Sequence, residues 1–493
     1  MRIYASTIGF VLLTCAFSCS KLISIPEPTN SITIPKVFSS DATATSAIAG
    51  IYTQLINGTF GANNTNDATH VFSDGLTTIL AGLSSDELQT STVNNALYQI
   101  SANNLTAALA DQTYIPTLWT SAYTIGVYGA NAVLEGLAQG SGISDSTKNL
   151  LTGEAKFIRA FCHFYLTNFF GDVPLVLTTD FNKTSNMART QQADVYKQII
   201  QDLKDAQHLL PDNYISTGQR VRPNKWAATA LLARAYLYTG DYDNASIQAG
   251  AVIAHTDLYH LEPDLNDVFL TNSNEVIWQL QQNTSIPNLG NATPEGALWL
   301  PNPLHTGRPT LAFLSSQLVN AFEPGDKRRS NWIDSTNYNP DPSTPPVTYY
   351  FPYKYKTGTY NRTVGGVATE YYVALRLSEQ YLIRAEAAAN GAPGGANAAI
   401  ADLNVVRNRA GLNDLPGNLS GTDLTNAISK EWQTEFFCEW GHRWFNLKRT
   451  KSAHGILSPI PLKQPWKGDY QLLYPIPTQE IIVDHHLIQN SGY

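Results

Sequence analysis

The 493-residue chain carries a net charge of −8, with 43% apolar, 11% aromatic and only 15% charged residues. That balance excludes a disordered polyelectrolyte, and the lack of any Lys/Arg-rich run argues against a nucleic-acid-binding surface. The length leaves room for two or three domains, or for one extended array of repeats.

The first residues, "MRIYASTIGFVLLTCAFSCSKLI", have one early Arg and an apolar stretch from Ile8 to Phe17, too short to span a bilayer. Its end resembles the lipobox of bacterial lipoproteins, with Cys19 after Ser18 and Ala16 at the third position upstream. The expectation is a signal over 1–18, cleavage before Cys19 and acylation of that residue. Several acyl chains anchor stably where one binds only marginally. Residues 19–36 are rich in Pro, Ser and Thr and read as an extended tether.

Residues 57–100 look irregular ("NGTFGANNTNDATHVFSDG"). From there most of the chain has helical period. "STKNLLTGEAKFIRAFCHFYLTNFFGDVP" places Leu150, Phe157, Phe161, Phe164 and Phe169 on one broad face and stops at Gly171 and Pro174. "ADVYKQIIQDLKDAQHLLPDN" follows, ending at Pro211. "NKWAATALLARAYLYTGDYDNASIQAGAVIAH" resembles a tetratricopeptide hairpin: small residues at Ala230 and Ala233 let two helices approach, and Gly240 ends the first. After residue 254 the character changes. "NEVIWQLQQN" alternates as a strand, with Val276, Trp278 and Leu280 on one face, and about 283–375 is loop-like and rich in Pro, Gly, Asn and Tyr. A second hairpin-like copy begins at Arg376, with Ala385, Ala389, Ala396 and Ala399 about a Gly/Pro turn. One such unit cannot bury its own face, so further degenerate copies are expected.

The last cluster, "CEWGHRWFNLKRT" from Cys438, follows a ladder in which Glu431, Glu435, Glu439 and Arg443 recur every four residues. The spacing predicts one helical face, broken only near Gly441, with Arg443 answering the acidic ladder. Trp440, Trp444 and Leu447 fall on a second, packing face. His442 has no second ligand at i+3 or i+4, so the cluster reads as a structural seam rather than a metal or catalytic site. Cys162 and Cys438 sit in apolar stretches and read as buried thiols, with a disulfide between them left open.

Taken in order, these segments resemble the SusD/RagB family of outer-membrane, nutrient-binding lipoproteins. The similarity is carried by the Gly171–Pro174 turn after its helix, "KWAATALLARAYLYTGDY", and "LRLSEQYLIRAEA" with Arg376, Glu379, Tyr381 and Glu386. It continues in Glu439, Gly441, Arg443, Trp444, Leu447 and Arg449, with Asn446 where the family has Asp, and in the "PIPTQEIIVDHHLIQNSGY" terminus. The resemblance implies a mainly α fold in which tetratricopeptide-like hairpins form a scaffold, with long loops and a few short strands inserted. It divides the mature chain into a helical region over 37–254, a loop-rich region over 255–375 and a C-terminal helical region over 376–493. It also implies a non-catalytic binder at the cell surface, lipid-anchored in the outer membrane. The binder captures oligosaccharide, or in some members peptide, and delivers it to a TonB-dependent outer-membrane transporter. A helical-repeat adaptor without its own ligand is the other reading.

A sugar has an apolar C–H face and a hydroxyl rim, so flat rings cover the face while amides, carboxylates and guanidinium groups reach the rim. The irregular regions supply Trp299, Trp332, Tyr338 and Tyr360 as stacking candidates, and Asp67, Asp74, Asn302 and Arg308 as polar ones. For Trp332, packing competes with stacking, whereas Trp226, Trp278 and Trp432 read as core. No cofactor is implied. "PDLNDVF" and "NPDPSTP" offer loop oxygens for calcium but lack the EF-hand spacing, and no site is assigned. Nothing marks a pair of glycosidase carboxylates.

Overall fold

The computed structural model describes residues 34–58, 71–90, 96–216, 218–302, 311–339, 343 and 345–493. Cys19, Asp67 and Arg308 lie outside them. The principal helices are α1 (Asp41–Asn57), α2 (Thr77–Ser84), α3 (Tyr128–Gln139), α4 (Asp145–Phe170), α5 (Gln192–Leu209), α6 (Lys225–Thr239), α7 (Tyr242–Ile253) and the short α8 (Pro294–Trp299). They are followed by α9 (Leu377–Ala389), α10 (Gly395–Arg409), α11 (Gly421–Glu435) and α12 (His442–Arg449). Their ends obey local rules. Ser144 caps α4 by accepting from the Thr147 amide, Asn224 caps α6 through the Ala227 amide, and Gly240 closes α6 in the left-handed region.

The helices stack in series: α4 on α5, α5 on α6, α6 on α7, α7 on α9 and α9 on α10. The two tetratricopeptide-like hairpins, α6–α7 and α9–α10, are therefore neighbours in space although some 120 residues separate them in sequence. The inserted region leaves the array after α7 and returns to it at α9.

That insertion carries most of the strand structure, as three antiparallel pairs: β1 (Leu88–Thr90) with β3 (Ala312–Leu314), β2 (Val276–Leu280) with β6 (Tyr372–Arg376), and β4 (Ile333–Tyr338) with β5 (Val347–Pro352). β2 is buried along its whole length, not on the single face its alternation predicts, because it runs through the middle of the molecule. Phe157 and Phe161 of α4 pack edge-on to Trp278, and Phe161 does the same to Trp440, which stacks on Tyr372 with centroids 4.8 Å apart. The Trp440 indole donates to Val373 O at 2.7 Å. One ring thus joins α4, β6 and the C-terminal cluster.

Part of the stretch that looks irregular in sequence is ordered core: α2 follows a tight turn over Phe72–Leu76, kinked at Asp74 and at Gly75 with φ 100°, and every residue of both is buried.

The acidic ladder also differs from its helical reading. α11 stops at Glu435, and the chain turns through Cys438 and Trp440, both at φ 48°, and Gly441 at φ 76°. Arg443 thereby swings away to Asp86, with Nε and Nη2 at 2.7 and 2.8 Å from its carboxylate. The three glutamates pair with the insertion and with α10 instead. Glu431 accepts from Arg328 at 2.5 Å. Glu435 accepts from Arg328 at 2.9 Å, Arg376 at 2.5 Å and Arg409, and Glu439 accepts from Arg376 at 2.8 Å and Lys354 at 2.5 Å. Burial raises the Glu435 pKa, but Arg409, Arg376 and Arg328 outweigh it and hold the group well below the usual carboxylate range. His442 is buried beside Trp432, and burial with its cationic neighbours keeps the imidazole neutral. Cys162 and Cys438 are free, buried thiols.

Candidate functional site: an aromatic face on the insertion

β4 and β5 form a hairpin ladder in which Ile333 pairs with Pro352, Thr336 with Tyr349 and Tyr338 with Val347. Side chains two apart share a face of a strand, so Thr336 and Tyr338 lie beside Tyr349 and Phe351. That face packs against β3, where Phe313 meets Tyr349 edge-on with centroids 4.9 Å apart. Tyr338 and Tyr349 lie 6.4 Å apart, centroid to centroid. Across from them stands α8, started by Pro294 and capped by Thr293, whose hydroxyl accepts from the Gly296 amide at 3.0 Å. Trp299, Pro301, Phe313, Thr336, Tyr349 and Phe351 border a shallow depression that encloses no room of its own for even a water molecule.

The loop after β5 is fixed to the back of α8. A Cβ at Gly296 would stand 2.1 Å from Thr357 O, and one at Gly358 would stand 2.6 Å from Leu300 Cβ, so glycine is required on both sides of this contact. The Thr359 hydroxyl donates to Ala297 O at 3.0 Å, which holds the exposed Tyr360 ring close to α8. Beneath the helix, Glu295 accepts from the Thr78 hydroxyl at 2.6 Å and from Tyr372 Oη at 2.8 Å. Burial pushes its pKa up to about 8.

The structure separates the candidates named from sequence. Tyr338 is half-buried at the edge of the aromatic face, and Tyr360 is 42% exposed on the neighbouring loop. Asn302 is half-buried directly after the Trp299–Pro301 border. Trp299 is only 2% exposed, and its indole N–H has no partner among the described residues. It forms the floor of the depression and cannot offer a full ring face in this conformation. Trp332 has no exposed surface: its indole donates to Leu265 O at 2.9 Å and Lys354 sits over its ring at 4.8 Å, so it is a core residue with no face for a sugar. Asp74 is buried at the kink before α2, where Oδ2 accepts from the Val71 amide at 3.1 Å, a capping role rather than a ligand contact. Sequence reasoning passed over Tyr349, Tyr350 and Phe313. The signal for the two tyrosines was the "VTYYFP" alternation opposite "IDSTNY", which reads as a hairpin once the two segments are paired, whereas Phe313 comes from β3.

Chemically the face is a platform of rings with the Thr336 hydroxyl among them; on the opposite side of the hairpin Thr348 donates to Asn337 at 2.8 Å and Arg329 lies over Tyr350 at 4.7 Å. None of the described residues bordering the depression is acidic, and Asp334, paired with Phe351, stands on the same face of β4 beyond it.

Comparison with known proteins places this architecture. Residues 56–237 match the family described as "Starch-binding associating with outer membrane", and residues 319–493 match the one described as "SusD family". The SusD-like protein P2 of Formosa agariphila is 27% identical over 439 residues, covering 79% of this chain and 83% of the relative. A SusD superfamily protein from Bacteroides vulgatus superposes with a TM-score of 0.76 at 21% identity, over 92% of this chain and 100% of that one. A laminarin-binding SusD-like protein superposes with a TM-score of 0.72 at 22% identity, again over 92% and 100%. The two family matches lie in order along the chain and together cover well over half of it, and the mainly helical fold agrees: the chain belongs to the SusD/RagB family.

Proposed function

We propose that this protein captures oligosaccharides at the cell surface through the aromatic face and passes them, without chemical change, to a TonB-dependent outer-membrane transporter. The observation that carries the reading is the grouping of Phe313, Tyr338 and Tyr349 beside the Trp299 floor, with the Thr336 hydroxyl at the margin. Rings laid on a rigid hairpin cover the apolar face of a sugar at low entropic cost, and a shallow site suits a chain that continues beyond it. A relative of the same fold is named for binding laminarin, which makes β-glucan the first ligand class to try. Attachment at the outer membrane rests on family membership and on Cys19. Among the described residues no helix is long and apolar enough to cross a membrane.

The test is calorimetric titration with β-glucan, α-glucan and other plant, fungal and host oligosaccharides. One class binds, and Tyr338→Ala with Tyr349→Ala weakens it at least tenfold while the folded circular dichroism spectrum is kept. Cells carrying the double variant then take up the same glycan more slowly. Undiminished affinity in the double variant would remove the site from this face, and unchanged uptake would remove the delivery role.

A further inference from the structure

A larger cavity, of about 640 Å3, lies on the helical side of the molecule, bordered by the α6–α7 turn, the end of α9, α11 and α12. Its size falls within the ~300–1,000 Å3 of typical small-molecule sites. None of its lining residues belongs to the aromatic face of the insertion.

Arg443 and Asn446, one turn apart on α12, both line this cavity and each keeps a donor without a partner among the described residues. Asn446 is 8% exposed; its Oδ1 accepts from Arg449 Nε at 2.8 Å, which fixes the orientation of the amide, and its Nδ2 has no partner among the described residues. Arg443 gives Nε and Nη2 to Asp86, and its Nη1 enters no hydrogen bond among them. Asn446 Nδ2 is fully buried, and a buried donor without an acceptor is costly to keep, so it calls for an acceptor from outside the chain.

The charges point the same way. Arg443, Arg449 and Lys451 line the cavity against one carboxylate, Glu386. Glu386 is already spent on Arg449, at 2.5 and 2.7 Å, and on the Trp432 indole, at 3.0 Å. The ammonium group of an amino acid would find no free anion here, whereas a carboxylate would find two free donors. Thr425, Ser429 and Ser452 add hydroxyls at the margin, and the half-buried Tyr238 and Tyr242 add rings.

We propose that this cavity is a second binding site, selective for a carboxylate-bearing sugar unit, a hexuronate at the end of a short oligosaccharide. The carboxylate sits on Arg443 Nη1 and Asn446 Nδ2, the ring hydroxyls meet the margin, and the apolar face of the sugar lies against a tyrosine ring. A guanidinium and an amide acting together on one carboxylate are charge-assisted and directional, which is the basis of discrimination against neutral sugars.

The test is titration of the full protein with short galacturonate, glucuronate and mannuronate oligomers and with their neutral methyl esters. The acid of at least one series binds, and its ester binds at least tenfold more weakly. Asn446→Asp keeps the acceptor for Arg449 but sets a negative charge against the ligand, and it lowers affinity for the acid at least tenfold. Thr425→Trp, on the exposed side of α11, fills the cavity and does the same without touching a buried contact. Neutral glycan bound at the insertion keeps its affinity in both variants, so failure of this site is distinguishable from failure of the other. Equal binding of acid and ester, silence from all three acids, wild-type affinity in both variants, or a peptide displaced by Thr425→Trp where uronates are not, would each overturn the assignment.

Discussion

Glu295 is a carboxyl group placed where it is favoured with its proton on. It lies under α8, fully buried, in contact with the Thr78 and Tyr372 hydroxyls, and burial lifts its pKa from the ordinary 4.5 to about 8. The unfolded chain loses this proton near pH 4.5 and the folded one near pH 8, so between those values the folded state binds more protons. The contribution of Glu295 is therefore fully present below about pH 4.5 and is lost as pH rises towards 8. Glu87, also pushed up to about 8 by burial, titrates in the same direction, so only a difference isolates Glu295. Glu295→Gln mimics the protonated group at every pH. Urea unfolding of the two proteins from pH 5 to 8.5 should show the variant gaining on the wild type as pH rises, by on the order of a few kcal/mol at the top of the range. A constant difference across that range would mean that Glu295 is ionised in the fold. The consequence for the aromatic face is local, because the same residue seats the helix that ends in Trp299.

At the scale of an element, the turn between α11 and α12 decides the register of the C-terminal cluster. A Cβ at Gly441 would stand 2.7 Å from Ala81 Cβ, on α2, and 3.0 Å from Phe445 Cε2, while φ of 76° is itself unfavourable for any side chain. Gly441→Ala should cost about 2 kcal/mol or more, read as a lower urea midpoint, and should loosen the Arg443–Asp86 pair that the turn creates. A variant as stable as the wild type would mean that α2 shifts freely, contrary to its complete burial. The same turn shows how far sequence reaches. The long helices were legible because their apolar period and their stops at Gly171 and Gly240 are local properties. The end of α11 was not legible: a four-residue ladder of charges continues through it, and the positive φ falls on Cys438 and Trp440, residues that rarely adopt it. The glutamates could be seen as paired, but the identity of their partners depends on a return of the chain from Arg328 and Lys354 that no local pattern announces. The aromatic face has the same character. Tyr338 and Trp332 look alike as loop aromatics, and only the pairing of β4 with β5 and its contact with β3 leaves one at the edge and puts the other in the core.

Across the whole molecule, the helical array, the insertion and the C-terminal region are locked by buried ion pairs rather than merely apposed. Arg234 of α6 binds Glu379 of α9 at 2.5 and 2.7 Å. Asp86 holds Arg443, and Lys463 donates to three carbonyls, Leu83, Ser84 and Ser101, at 2.8–3.0 Å. Glu431 and Glu439 take Arg328 and Lys354 from the insertion, and Arg376, at the junction, meets Glu275, Glu435 and Glu439 at once. Removing one side of a buried pair costs about 3–5 kcal/mol, because the charge left behind stays desolvated. Residues 376–493 expressed alone would keep Arg376 and Arg409 but lose Arg328, Lys354 and Asp86, and would leave Trp440 without Phe161 and Tyr372. Several such losses exceed the roughly 5–15 kcal/mol that usually hold a folded protein together. The fragment should show no cooperative urea transition by tryptophan fluorescence. Co-expression with residues 37–375 should restore one transition shared by both pieces, since every lost partner is then supplied. A sigmoidal transition from the fragment by itself would show that the ion pairs join units that fold independently, and the aromatic face would then be carried by a separable insertion.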